Sequence, residues 1–396
     1  MTPTDLARHL FSTYEQFKRD DLFAHNCKHA AIITELQSLL NHGGTILSMR
    51  QLGRSVEGRS INLVSFGRGP KNVLLWSQMH GDESTATLAL IDIFNFVVHH
   101  SSESWVREML DQATYCCIPM VNPDGAERPQ RHNATHIDIN RDARELASPE
   151  AQLLRATQRD LQPAFGFNLH DQALSSVGRS SAVAALALLA PAPDERKSTP
   201  LVRVRAMRLG ALVVQVLKPF VEGHIATYDD AYEPRAFGDN MQAWGTSTLL
   251  IESGHWPKDP GKAFIRKLNF VAILTALRSI GNGSYQDADL DHYVTLKPNN
   301  QFVYDVVVRG VVLEHASGWS HTVDLGLLVD PIFNRREGAS PAMQKRVTIK
   351  EIGDLGNHEG LETIDARSRH LPSTEIAVDK TMPLADLLDM LQVYYG

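Results

Sequence analysis

Residues 77–100 read SQMHGDESTATLALIDIFNFVVHH. Just before and into this stretch, Asn72–Trp76 (NVLLW) is a short apolar run without helical period, which predicts a buried strand. From Thr85 the apolar residues recur at helical spacing, which predicts a helix packed on the sheet that holds that strand. Between the two stand His80, Asp82 and Glu83, polar groups at the rim of a core. The alternation then repeats. Strand-length apolar runs appear at TYCCIPM (114–120), FGFNLH (165–170) and TSTLLIES (246–253), and SPEAQLLRATQRDL (148–161) is amphipathic, with Ser148 before Pro149 as a capped helix start. Strand and helix in turn predict an α/β fold with an open, largely parallel sheet covered by helices.

The 396 residues suit one large α/β unit with an accessory domain, since single cores stop growing near roughly 250–300 residues. Residues 1–45 form a helical lead-in ending at NHGG (41–44), and 46–285 hold the sheet, closed by a long helix that Gly281 ends. SSAVAALALLAPAPDERKSTP (180–200) reads as a variable loop flanked by a short helix. Residues 286–396 form a small β-rich domain, with β-branched runs at QFVYDVVVRGVVLEH (301–315) and KRVTIKEIGDLG (345–356) and one helix in PLADLLDMLQVYY (383–395). A net charge of −7, spread without blocks, excludes the electrostatic footprint of a nucleic-acid or anionic-membrane binder and leaves a small molecule or peptide as partner. The N-terminus lacks the basic-then-apolar order of a signal peptide and no run spans a membrane, so a cytoplasmic protein is expected. Cys27, Cys116 and Cys117 are too few for a disulfide framework; the adjacent pair lies in an apolar run and reads as packing.

Ligands of open α/β sheets bind beyond the carboxyl ends of the strands. Here those ends deliver His80 and Glu83 after NVLLW, NPDG (122–125) after CIPM, His170 at the end of FGFNL and Glu252 at the end of TLLIE. Two histidines and one carboxylate make three protein ligands with an open fourth position, the donor set of a catalytic zinc site. The i,i+3 spacing of His80 and Glu83 lets one turn bring both to a single ion, and His170 closes the site from the neighbouring strand. Glu252 is then the candidate base for a zinc-bound water. Asp82 is a turn residue or a partner that orients a histidine. Asn122–Gly125 is explained as a turn, but Arg131, Asn140 and Arg141 in the following loop offer planar forks and amides suited to a carboxylate or an oxyanion.

In order and context, HGDE (80–83), NPDG, RHN…DINRD (131–142), NLHD (168–171) and LLIESG (249–254) resemble the M14 zinc carboxypeptidase family over about residues 45–280. The resemblance implies a mixed, largely parallel eight-stranded sheet with helices on both faces and one zinc ion held by His80, Glu83 and His170. It assigns Glu252 as general base, Arg131 as the oxyanion-stabilising arginine with Arg128 as rival, and Asn140 and Arg141 as the pair that binds the substrate carboxylate. Tyr228 and Tyr232 are the two candidates for the family's mobile tyrosine. Arg235 is the expected specificity residue, favouring acidic C-terminal side chains, with Asp239 as its rival for basic ones. His136 stands where relatives often have Gly, so the loop turns differently or His136 joins in binding. The short interval from Glu83 to His170 fits a bacterial-type short subfamily with an open site. The expected activity is zinc-dependent hydrolysis of the C-terminal peptide bond of a short peptide. A zinc-dependent deacylase or amidase acting on an N-acyl amino acid is the alternative, and a fold that binds without catalysis is the third reading.

Overall fold

Strands β1 (Leu47–Arg54), β2 (Ser60–Gly67), β3 (Lys71–Ser77), β4 (Ala113–Ile118), β5 (Phe165–Asp171), β6 (Leu186–Leu189), β7 (Ile225–Thr227) and β8 (Ser247–Ser253) form one sheet in the order β1-β2-β4-β3-β5-β8-β6-β7. β4, β3, β5 and β8 are mutually parallel, whereas β2 is antiparallel to β1 and β4, and β6 is antiparallel to β8 and parallel to β7. The mixed, largely parallel eight-stranded sheet is therefore present. These strands belong to a computed structural model that describes residues 1–20, 22, 27–330, 346–367 and 369–392.

Helices α1 (Pro3–Thr13), α2 (His29–Gly43), α3 (Thr85–His100), α4 (Ser104–Gln112), α5 (Pro123–Glu127), α6 (Pro149–Leu161), α7 (Leu201–Val221), α8 (Phe237–Ala243) and α9 (Ala263–Asn282) connect and cover them. On one face Leu75, Phe167, Leu169 and Ile251 share an apolar cluster with Leu10, Leu36, Phe94, Val213 and Phe270 of α1, α2, α3, α7 and α9. On the other, Leu74, Trp76 and Ile118 pack with Leu154 of α6 and with Phe237 and Met241 of α8. Cys116 and Cys117 are buried and free in β4. Among the described residues no helix is long and apolar enough to cross a membrane.

Three local expectations are corrected. Leu186–Leu189, expected within a loop, is strand β6: every residue is buried, so the run shows no amphipathic period, and sheet pairing overrides the helix preference of its leucines and Ala187. The long helix passes Gly281 and stops at Gly283, which takes the left-handed conformation at φ +82°. Gly281 serves a close approach instead, since a Cβ there would lie 2.8 Å from Gln112 Oε1. The loop before IDINR does not abandon the glycine conformation either, because His136 itself sits at φ +62°.

The chain forms two compact units: Met1–Gln172 with Ala185–Asn299, and Ala173–Ala184 with Asn300–Gly396. The helical lead-in thus belongs to the larger unit, with Leu6 and Tyr14 in its core. In the smaller unit Val303–Glu314, Ser320–Asp330, Arg346–Gly353, Glu359–Asp365, His370–Pro372 and Thr381–Pro383 form a six-stranded sheet among the described residues. Helix Leu384–Leu391 adds Leu387 and Leu391 to its core beside Val308, Leu325 and Ile349. Lys345 and the tail of the last helical run, 393–395, lie outside the described residues.

Candidate metal centre

Because β4, β3, β5 and β8 are parallel neighbours, their carboxyl ends share one rim. β3 ends at Ser77, and the chain turns through Gln78, at φ +51°, to place His80 beyond the strand and Glu83 three residues on, ahead of α3. Gly81 of HGDE lies against Gly125 of NPDG so tightly that a Cβ would fall 2.0 Å from the Gly125 carbonyl carbon. The two glycines let these turns touch, which explains a pairing that turn chemistry alone does not. His170 is the penultimate residue of β5, and Glu252 stands beside it in register on β8.

The ligand atoms of His80, Glu83 and His170 lie within 4.8 Å of one another. Glu83 sits between the imidazoles, its Oε1 2.6 Å from His80 Nδ1 and its Oε2 2.8 Å from His170 Nδ1. Both rings therefore turn Nδ1 inward. His80 Nε2 donates to Asp138 Oδ1 at 3.1 Å, and Asp138 Oδ2 accepts from Arg131 Nε at 2.9 Å. Arg131 Nη1 reaches to 3.2 Å from His80 Nδ1 and 3.7 Å from Glu83 Oε1, so in the protein alone a cationic group already leans on the donor set.

Electrostatics point the same way. Burial resists charge on His80, but Glu83 and Asp138 outweigh it and push the imidazole up to about 9. His170 faces the same Glu83 and is nonetheless lowered by burial, because the group at its Nε2 is the neutral amide of Asn140, 3.5 Å away, rather than a second carboxylate. Glu83 resists ionisation through burial, yet the two histidines hold it well below the ordinary carboxylate range. Glu252, 7% exposed, is pushed well above that range by burial and then by Glu83. A dication on the inward atoms reverses the sign of the charge Glu252 faces and favours its carboxylate. Buried His80 and His170 and half-buried Glu83 converge within a few ångström, and once His80 gives up its proton to the ion they offer two neutral imidazoles and one carboxylate, which fit a zinc ion bound at about 2.0–2.2 Å.

Of the remaining expected residues, Arg131 reaches the centre, whereas its rival Arg128 is tied to Glu57 Oε1 at 2.5 Å. Asn140 Oδ1 accepts from the Phe237 backbone N–H at 3.0 Å, pinning the start of α8. Arg141 contacts Glu233 Oε2 through Nε at 3.3 Å and donates from Nη1 to the Asn140 carbonyl at 2.8 Å. Tyr228 follows β7, and the charge of Glu252, with burial and Glu83 behind it, pushes its hydroxyl up to about 12; this couples Tyr228 to the centre, while Tyr232 is half-buried four residues on. Arg235 forms a two-pronged pair with Glu233, at 2.9 and 2.7 Å, and does not stand free as a reader of acidic side chains. Asp239 is buried and accepts from the Glu233 backbone N–H at 3.2 Å. Asp82 is exposed in its turn, so Asp138 is the carboxylate that orients His80. Sequence reading also passed over Lys262, which donates to Asp171 at 3.3 Å and to the Ser253 carbonyl at 3.1 Å.

Residues 32–176, a little over a third of the chain, match the profile of the zinc carboxypeptidase family. That stretch contains His80, Glu83, Arg131, Asn140, Arg141 and His170 and ends before Glu252. Carboxypeptidase SOL1 of Arabidopsis thaliana is 22% identical over 186 residues, 43% of this chain and 38% of that protein. Carboxypeptidase M of Mus musculus is 25% identical over 123 residues, 27% of this chain and 28% of that protein. The chain thus spans well under half the length of either relative. Among solved structures, carboxypeptidase A of Helicoverpa armigera shares the fold at a TM-score of 0.51 and 17% identity, covering 72% of this chain and 80% of that one. That profile spans the donor set, and the shared fold carries the set on the ends of parallel strands: over residues 32–176 the chain is similar to the zinc carboxypeptidase family.

Proposed function

We propose that the protein is a zinc-dependent metallocarboxypeptidase that hydrolyses the C-terminal peptide bond of a short peptide. The observation that carries this reading is the buried convergence of His80, Glu83 and His170 with Glu252 in register beside His170. His80 and His170 through Nδ1, and Glu83 through its carboxylate, would hold the ion. Bound zinc supplies a Lewis acid that polarises a carbonyl and lowers the pKa of water towards about 7. Glu252 takes the proton of the attacking water and returns it to the leaving nitrogen. Arg131, beside Glu83, stabilises the oxyanion, and Arg141, with Asn140 holding its turn, receives the terminal carboxylate. Tyr228, half-buried directly after β7, serves as the tyrosine of the site, and the charge of Glu252 bears on its hydroxyl.

Glu252→Gln tests the assignment. One zinc per chain is expected to remain while turnover of short peptides with free C-termini falls by at least about 100-fold. His80→Ala is expected to lose the metal as well. A wild-type protein that binds no zinc, or a Glu252→Gln variant that keeps its turnover, overturns the reading.

A further inference from the structure

Glu233 lies in the loop between β7 and α8 and touches two arginines with one carboxylate. Its Oε2 is 3.3 Å from Arg141 Nε and 2.7 Å from Arg235 Nη2, and its Oε1 accepts from Arg235 Nε at 2.9 Å. We propose that Glu233 is a positioning residue that presents the Arg141 guanidinium to the substrate carboxylate; the inference rests on the carboxypeptidase reading of Arg141. Three observations support it. First, the contact with Glu233 uses the Nε edge of Arg141 and the Asn140 carbonyl uses one Nη1 hydrogen, so three of the five N–H groups remain for a ligand. Second, two guanidiniums and one carboxylate leave the trio with one net positive charge, so Arg235 keeps the cluster attractive to an anion that Glu233 alone would neutralise. Third, the backbone beneath is fixed from both sides. The Ala143 N–H donates to the Arg235 carbonyl at 3.0 Å, the Phe237 N–H to Asn140 Oδ1 at 3.0 Å and the Glu233 N–H to Asp239 Oδ1 at 3.2 Å. The Arg235 pair chiefly, against slight burial, holds the Glu233 carboxyl at about 2, so it stays charged at any working pH.

A carboxylate that merely blocked Arg141 until substrate displaced it would act with the opposite sign, and this makes the proposal testable. Binding of N-acetylphenylalanine and of its amide to the zinc-loaded protein is measured by calorimetry for wild type, Glu233→Gln and Glu233→Ala, with zinc content and melting temperature as controls of folding. The carboxylate ligand is expected to weaken by about tenfold in both variants, the amide to stay unchanged, and peptide KM to rise by the same factor with kcat within about twofold. Tighter carboxylate binding, unchanged binding, or a wild type that does not prefer carboxylate over amide overturns it. Calorimetry needs no turnover, so the two readings fail separately. A wild type that binds as described but cleaves no peptide removes the carboxypeptidase reading and keeps the positioning role, whereas cleavage with indifferent variants removes the positioning role alone.

Discussion

Asp138 joins His80 to Arg131, one oxygen accepting from the imidazole and the other from the guanidinium. Such partners fix a ligating ring and typically change metal affinity by about 10–100-fold when removed. Asp138→Asn is therefore expected to weaken zinc by about that factor in chelator competition, and unchanged affinity would show that His80 needs no such partner. The four residues at the heart of the site were legible because each follows an apolar strand, where a bland loop offers Gly or Ser. Asp138 was not, because its loop also holds Asp124 and Asp142. Only the fold reveals that Asp124 pairs with Arg59 and Ser55 while Asp142 accepts from the Ala147 and Ser148 backbone. Asp239 illustrates the same limit and carries a pH signature: burial raises its carboxyl from 3.8 to about 6. The unfolded chain releases this proton at lower pH than the folded one, so stability falls as pH rises from about 4 to 6, by up to about 3 kcal/mol. Asp239→Asn keeps the acceptor for the Glu233 N–H. It is expected to raise the urea midpoint at pH 7 and to leave it nearly unchanged at pH 4; equal shifts at both values would remove Asp239 as the source.

At the scale of elements, what was legible was whatever leaves a period or a punctuation mark: α3 by its apolar spacing, α6 by its Ser148 cap, which accepts from the Ala151 N–H at 3.3 Å. β6 leaves neither. The lead-in was legible as helix, but its attachment was not, because that rests on side chains far apart in sequence. Asp92 in α3 is fully buried and accepts from Arg266 of α9 at 2.7 and 2.5 Å, from the Tyr14 hydroxyl at 2.8 Å and from the Arg19 N–H at 2.9 Å. Arg266 in turn donates to the Leu22 and Arg19 carbonyls. Every nitrogen of its guanidinium is engaged, so it clamps the segment after α1 against two core helices. Removing one partner leaves a buried charge uncompensated, which costs about 3–5 kcal/mol. Arg266→Ala is expected to lose that much in urea unfolding, and a loss under about 1 kcal/mol would mean that the lead-in is held by apolar packing alone.

Across the whole molecule, a change in sequence texture near residue 285 marked where the β-rich part begins, and the structure places the start of its long sheet at Val303. What texture could not show is that this unit also takes Ala173–Ala184, twelve residues between β5 and β6 with no period of their own. Within the unit Leu174 and Val183 are buried with Val303, Tyr304, Val307, Leu328 and Leu355. The segment is a hairpin, closed by the Ala184 N–H donating to the Ser175 carbonyl at 2.9 Å and the Val177 N–H to the Ala182 carbonyl at 2.8 Å. A chain cut after Asn299 keeps the hairpin and removes what covers it, exposing two side chains whose burial is worth about 1.5–3 kcal/mol each. That truncation is expected to aggregate in sedimentation experiments. Because the hairpin's two ends lie together, deleting residues 174–183 as well, which removes both side chains, and bridging Ala173 to Ala184 with a short glycine–serine linker is expected to return a soluble monomer with one zinc per chain. If the simple truncation is itself soluble and monomeric, Leu174 and Val183 do not depend on the second unit and the division of the chain at this hairpin is wrong.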